Sequence, residues 1–124
     1  MPTLLVVDDN RLQRRKVVRA AEVAGFDSAD ITEAEDLEGA RAVILEKSFD
    51  VAVIDVVLTM LPEMIGLTLI EELSATQPRC KIIALTTTAE PEVGVGAIRV
   101  GADDFVSSKW EYVNWYVLLE KRLQ

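Results

Sequence analysis

The chain contains no histidine. That absence removes every imidazole-based catalytic triad, every His-ligated zinc site and any phosphohistidine role. A single cysteine, Cys80, allows neither an internal disulfide nor a cysteine-rich metal site, and sets the expectation of a reducing, cytoplasmic setting. No apolar run approaches the roughly 18 residues of a membrane-spanning helix, and the chain does not open on a charged-then-apolar leader. Positive charge is also in short supply. With 13 Lys and Arg against 21 Asp and Glu, the net charge of −8 argues against binding nucleic acid or an anionic membrane surface. No glycine-rich phosphate loop follows an apolar run, which argues against nucleotide or flavin binding. Internal repeats, low-complexity tracts and linkers are missing as well, so the 124 residues are expected to form a single domain spanning 1–124.

What remains is an alternation of apolar runs and helical patterns. Residues 3–7 form a continuous apolar run and predict a strand buried on both faces. Val17, Ala20, Ala21 and Ala24 recur at helical spacing, with Gly25 as a stop signal. A short strand is expected over 28–32, and a second helix carrying Leu37, Ala40 and Ile44 behind Asp36 as cap. Val51 to Asp55, "VAVID", predicts another buried strand. A third helix follows with Leu69, Ile70 and Leu73, placed after Gly66 and closed by Pro78. "CKIIALT", 80–86, is the next strand. A weak helix is expected over 91–100, because Gly94 and Gly96 each cost about 1 kcal/mol relative to alanine. "DFVS", 104–107, is the fifth strand, and Trp110, Val113 and Val117 are expected to set the face of a closing helix. Five strands alternating with five helices imply a parallel sheet with right-handed crossovers and helices on both faces.

Ligands of open parallel sheets bind beyond the carboxyl ends of the strands. The polar residues gather there: Asp8 and Asp9 after the first strand, Asp55 at the end of the third, Thr86 to Thr88 at the fourth, Lys109 after the fifth. Adjacent carboxylates repel, and desolvation raises the cost of ionising both. Three of them in one crevice make an oxygen-rich site suited to a hard cation such as Mg²⁺. A carboxylate held there can attack a phosphoryl group and form an acyl phosphate, with a hydroxyl and a lysine sharing the charge on the phosphoryl oxygens.

"LLVVDDN", "VAVID", "IIALT" and "GADDF", at their spacings, resemble the receiver domain of two-component response regulators over nearly the whole chain. The resemblance implies a flavodoxin-like α/β fold with strand order 2-1-3-4-5. It implies that Asp55 accepts a phosphoryl group from a sensor histidine kinase or phosphotransfer protein, and that the change is passed to a downstream effector domain or target. It further implies Mg²⁺ held by Asp9 and Asp55, with Asp8 acting through water and the backbone carbonyl of Val57 completing the set. Thr86 matches the switch hydroxyl and Phe105 the aromatic that swings inward. The surface of the fourth helix, fifth strand and fifth helix is where such domains are read out. Self-catalysed aspartyl phosphorylation and dephosphorylation would be its only chemistry.

Two departures from the family pattern stand out. Thr59, Met60 and Leu61 look like extra residues in the loop before Pro62. The family lysine, counted from Gly101, falls on Ser108, and Lys109 occupies the place of the usual proline. A one-place shift along a strand turns a side chain to the opposite face, and a one-residue bulge, which we expect here, would turn it back. Without the proline, a cis peptide would cost about 2.5–4 kcal/mol, so a trans bond is expected.

Each residue also has a plainer reading. Asp8, Asp9 and Asn10 are good caps for a first helix. Thr86 suits a strand end on propensity alone, and Thr87 and Thr88 read as loop. Lys109 taken singly reads as a surface lysine, Arg14 and Arg15 as a solvated helix face, Cys80 as a small buried residue, and Trp110 and Trp115 as packing residues. The same fold also admits a degenerate receiver that works by protein contacts without phosphorylation. Haloacid-dehalogenase chemistry would need Asp-x-Asp after the first strand, where the third residue here is Asn10, and a cobalamin site would need the missing histidine.

Overall fold

The computed structural model describes residues 2–56, 65–87, 91–109 and 114–124. Five strands, β1 (Leu4–Val7), β2 (Ile31–Ala34), β3 (Val51–Asp55), β4 (Lys81–Thr86) and β5 (Asp104–Ser107), form one parallel sheet in the order β2-β1-β3-β4-β5. The helices α1 (Arg11–Val23), α2 (Leu37–Glu46), α3 (Ile65–Thr76), α4 (Pro91–Arg99) and α5 (Trp115–Leu123) alternate with them. Side chains of a strand point alternately to its two faces, and the core divides accordingly. Leu4, Val6, Val53, Ile83, Leu85 and Val106 pack under α1 and α5. Leu5, Val7, Ala52, Ile54, Ile82 and Ala84 pack under α2, α3 and α4. All four residues of β1 are at most 1% exposed, as the uninterrupted apolar run requires.

Helix starts follow the capping chemistry expected of them. Asn10 Oδ1 accepts the Gln13 N–H at 3.0 Å to open α1, and Asp36 Oδ1 accepts the Gly39 N–H at 2.6 Å to open α2. Gly25, at φ 111°, ends the α1 turn in a conformation that side chains rarely adopt.

Four expectations shift. The second strand begins at Ile31, not at residue 28, because Asp27 Oδ1 captures the Ala29 N–H at 3.0 Å and winds Ser28–Asp30 into a 3₁₀ turn. The fourth strand begins at Lys81, one residue later than expected. Gly66 lies inside α3, not ahead of it. The face of α5 is Trp115, Leu119 and Leu123, whereas Val117 is 40% exposed. Residues 115–119 are apolar without a break, so periodicity alone leaves two faces open, and packing against α1 selects one. Trp110 and Val113 lie outside the described residues, as do Val57, Thr59, Met60, Leu61, Pro62 and Thr88.

Candidate functional site

Register explains why the acids meet. In the parallel pairing of β1 with β3, Val7 stands opposite Ile54, so the next pair of positions is Asp8 and Asp55, on one face of the sheet. Each strand is pinned one rung past its own end. The Asp8 N–H donates to the Ala34 carbonyl at 3.1 Å, and the Val56 N–H to the Leu85 carbonyl at 2.9 Å. Asp8 is 1% exposed and Asp55 2% exposed, whereas Asp9 faces solvent. One carboxylate oxygen from each of Asp8, Asp9 and Asp55 lies within 4.8 Å of the other two.

The Asp8 carboxyl carries the electrostatic cost of this arrangement. Burial pushes its pKa above the usual value, and the neighbouring Asp9 charge adds to the rise. Hydrogen bonds with the Gln13 side chain, the Asn10 N–H and the Asp55 side chain act in the opposite direction. Three hard oxygen donors, two of them buried and one destabilised by its own negative charge, fit a divalent cation with several waters retained.

Gly66 supports the acid end from below. Its N–H donates to the Val56 carbonyl at 2.9 Å, and a Cβ at this position would collide with backbone atoms of Asp55 and Val56. α3 therefore seats directly on the end of β3.

The β4–β5 end is built differently. Asp55 stands level with Leu85, and Leu85 with Val106. Thr86, 2% exposed, lies one step further and shares the α4 face with Phe105, since Ala84 pairs with Phe105 and Thr86 with Ser107. Phe105 is half-buried over Gly94 of α4, where a Cβ would come within 2.5 Å of the ring. Gly94 is thus more than a weak point in the helix: it is the notch that admits the aromatic ring.

The expected bulge is not there. Pairing runs residue for residue from Ile83–Asp104 to Thr86–Ser107, and the Ser108 N–H continues the ladder to the Thr86 carbonyl at 2.9 Å. Ser108 therefore carries the last ladder bond of β5, and Ser108 and Lys109 form a turn beyond the strand. Lys109 lies exposed three residues beyond the level of Asp55. Its N–H donates to Ser107 Oγ at 3.1 Å, and among the described residues its ammonium makes no ion pair. The Ser108–Lys109 peptide is trans, as expected.

Gln13 escaped the sequence reading, whereas Gly66 was read only as preceding the third helix and Ser108 only as the place where the family lysine would fall. Gln13 stands three places after the capping Asn10, the position from which a Gln side chain characteristically reaches back past the helix start, and this is the signal that could have found it. Gly66 left no trace beyond its type, because its role depends on where α3 lands.

The response regulator receiver domain family matches residues 4–113. The chain is 33% identical over 104 residues to a cyclic di-GMP phosphodiesterase of Thermotoga maritima, covering 84% of this chain and 26% of that protein. It is also 33% identical over 106 residues to the photosynthetic apparatus regulatory protein RegA of Rhodovulum sulfidophilum, covering 86% of this chain and 55% of that one. It thus spans about a quarter to about half of those relatives. Among solved structures, a response regulator from Burkholderia pseudomallei with a phosphorylated aspartic acid, calcium ion and citrate superposes with a TM-score of 0.77 at 26% identity. That match covers all of this chain and 67% of the other. The strand order, the acids level at the ends of β1 and β3, and a family match across nearly the whole length lead to one conclusion: the chain belongs to the receiver domains of two-component response regulators.

Proposed function

We propose that Asp55 is the phosphoacceptor of this receiver and that Asp8, Asp9 and Asp55, with the carbonyl of Val57, hold Mg²⁺ beside it. The observation that carries the reading is the convergence of the three carboxylates within 4.8 Å at the end of the sheet. A bound Mg²⁺ would offset the charge that gathers on the phosphoryl oxygens. The residues do the rest. An Asp55 oxygen forms the new bond to phosphorus as the bond to the donor, a histidine nitrogen of a sensor kinase or phosphotransfer protein, breaks; the donor leaves with that electron pair and the product is an acyl phosphate. β3, pinned by Leu85 and seated on Gly66, holds Asp55 still while this happens.

Thr86 is assigned the switch hydroxyl and Phe105 the ring that swings inward with it from its seat over Gly94, so that phosphorylation is read on α4, β5 and α5 by an effector domain or target protein. Lys109 is given an auxiliary share of the phosphoryl charge, because its ammonium starts from an exposed position. The working unit in this reading is a single domain over 1–124. No helix among the described residues is long and apolar enough to cross a membrane, in keeping with a cytoplasmic place of action.

Incubation with acetyl phosphate and Mg²⁺, followed by intact mass, tests the proposal. One phosphoryl adduct is expected, abolished by Asp55→Asn. Absence of any adduct, or its persistence in the variant, would overturn the assignment.

A further inference from the structure

Asp8 is the most deeply buried member of the acid cluster, and both of its carboxylate oxygens are already committed to donors. Oδ1 accepts the Asn10 N–H at 2.9 Å, a local turn that any residue at position 10 except proline could supply. Oδ2 accepts Gln13 Nε2 at 2.7 Å, and that bond depends on the side chain. Gln13 is well placed to hold it. Its own N–H is tied to Asn10 Oδ1 at 3.0 Å in the first turn of α1, so the stem of the side chain starts from a rigid point. The next residue fixes the backbone of the same aspartate. Arg14 Nη1 donates to the Asp8 carbonyl at 2.8 Å while Arg14 Nε pairs with Glu33 at 3.0 Å.

We infer that Gln13 is a positioning residue for the cation site: its side-chain amide holds the Asp8 carboxylate in the orientation that lets it act with Asp9 and Asp55. The inference rests on the reading of those three acids as the Mg²⁺ site. The chemistry favours an amide here. A neutral donor fixes the carboxylate without cancelling its charge, whereas a lysine or arginine at the same place would compete with the cation. Each oxygen retains a second lone pair, so a carboxylate held by one donor per oxygen can still face a cation or its water. Partners that orient ligands in this way commonly change metal affinity by about 10–100-fold when removed.

Two measurements test the assignment. The first is calorimetric titration of Mg²⁺ into the native protein and into Gln13→Met, which keeps the shape and helix propensity but deletes the donor. Leu12→Ala, at a neighbouring position that is 74% exposed, serves as control. About tenfold weaker binding in Gln13→Met, with Leu12→Ala like the native protein, is the expected result. The second needs no variant. The Gln13 side-chain amide resonances of the native protein should shift as Mg²⁺ saturates the site. If Mg²⁺ binds the native protein and Gln13→Met equally, or those resonances stay in place, the role of Gln13 is overturned and the acid site stands. If the native protein binds no Mg²⁺, the acid site falls and Gln13 with it.

Discussion

At the ends of β1 and β3, Asp8 directly follows one strand buried along its length and Asp55 closes another, and a ladder bond one rung past the last paired residue pins each strand. At the ends of β4 and β5, the chain carries hydroxyls, and its one cation lies two residues past the last paired position. The first arrangement is rigid because its geometry is the geometry of the sheet: Asp8 and Asp55 are neighbours as surely as Val7 and Ile54 are. The second depends on what the chain does after the sheet stops. Lys109 lies exposed in the turn that follows β5, past the last ladder bond, which Ser108 makes. In the proposed function the nucleophile sits at the first, fixed end, and the residues assigned to the switch sit at the second.

The largest effect that would break this contrast comes from Gly66→Ala. The added methyl meets backbone atoms of Asp55 and Val56, which cannot rotate away, so unfolding stability should fall by about 3 kcal/mol, the upper part of the overpacking range. A denaturation midpoint equal to that of the native protein would mean that α3 does not hold the acid end.

Asp8→Asn should act in the other direction. Burial raises the Asp8 carboxyl in the folded state, so the folded protein holds this proton more tightly than the unfolded chain does. The stability that it contributes is complete below the unfolded value and is lost as pH rises through the elevated folded value. At neutral pH in EDTA the native protein therefore bears a buried charge that Asp8→Asn lacks. The variant should be the more stable of the two at pH 7 and show a flatter stability profile between acid and neutral pH. Urea titrations across that range check it, and a steeper fall in the variant would contradict it.

The smallest effect is expected at the other end of the sheet. An exposed ammonium pairs weakly, worth about 1 kcal/mol at most, so Lys109→Ala should slow adduct formation from acetyl phosphate by less than about fivefold. Ser108→Lys, which places a cation at the last ladder bond of β5, one residue closer to the level of Asp55, should change that rate more. Larger loss in Lys109→Ala than change in Ser108→Lys would show that the lysine turns inward after all.

Legibility in the sequence followed the same division. The apolar runs announced β1, β3 and β4 almost to the residue, because a strand buried on both faces has no choice but to be largely apolar, and the short DFVS stretch marked β5. β2, half-exposed and short, was displaced by a capping aspartate. α5 turned on a face that periodicity could not select among five consecutive apolar residues. The grouping of Asp8, Asp9 and Asp55 was visible because residues that end buried parallel strands must converge. Gln13, five residues from Asp8 and three past the capping Asn10, carried a signal that went unread, whereas the Gly94 seat of Phe105 was not visible because it depends on two elements meeting in space.

Composition and order alone were enough for the class of fold, the strand that carries each acid and the exclusion of imidazole chemistry. These depend on residue type and short-range pattern, which the chain carries with it even when unfolded. Register, and with it the regular pairing of β5 that ends just ahead of Lys109, emerged only with folding. So did the holding of Asp8 by Gln13 and of Asp55 by Gly66. The first needs the turn from β1 into α1 to form and the second needs α3 to pack on the end of β3, and a difference of one position or one methyl group decides them.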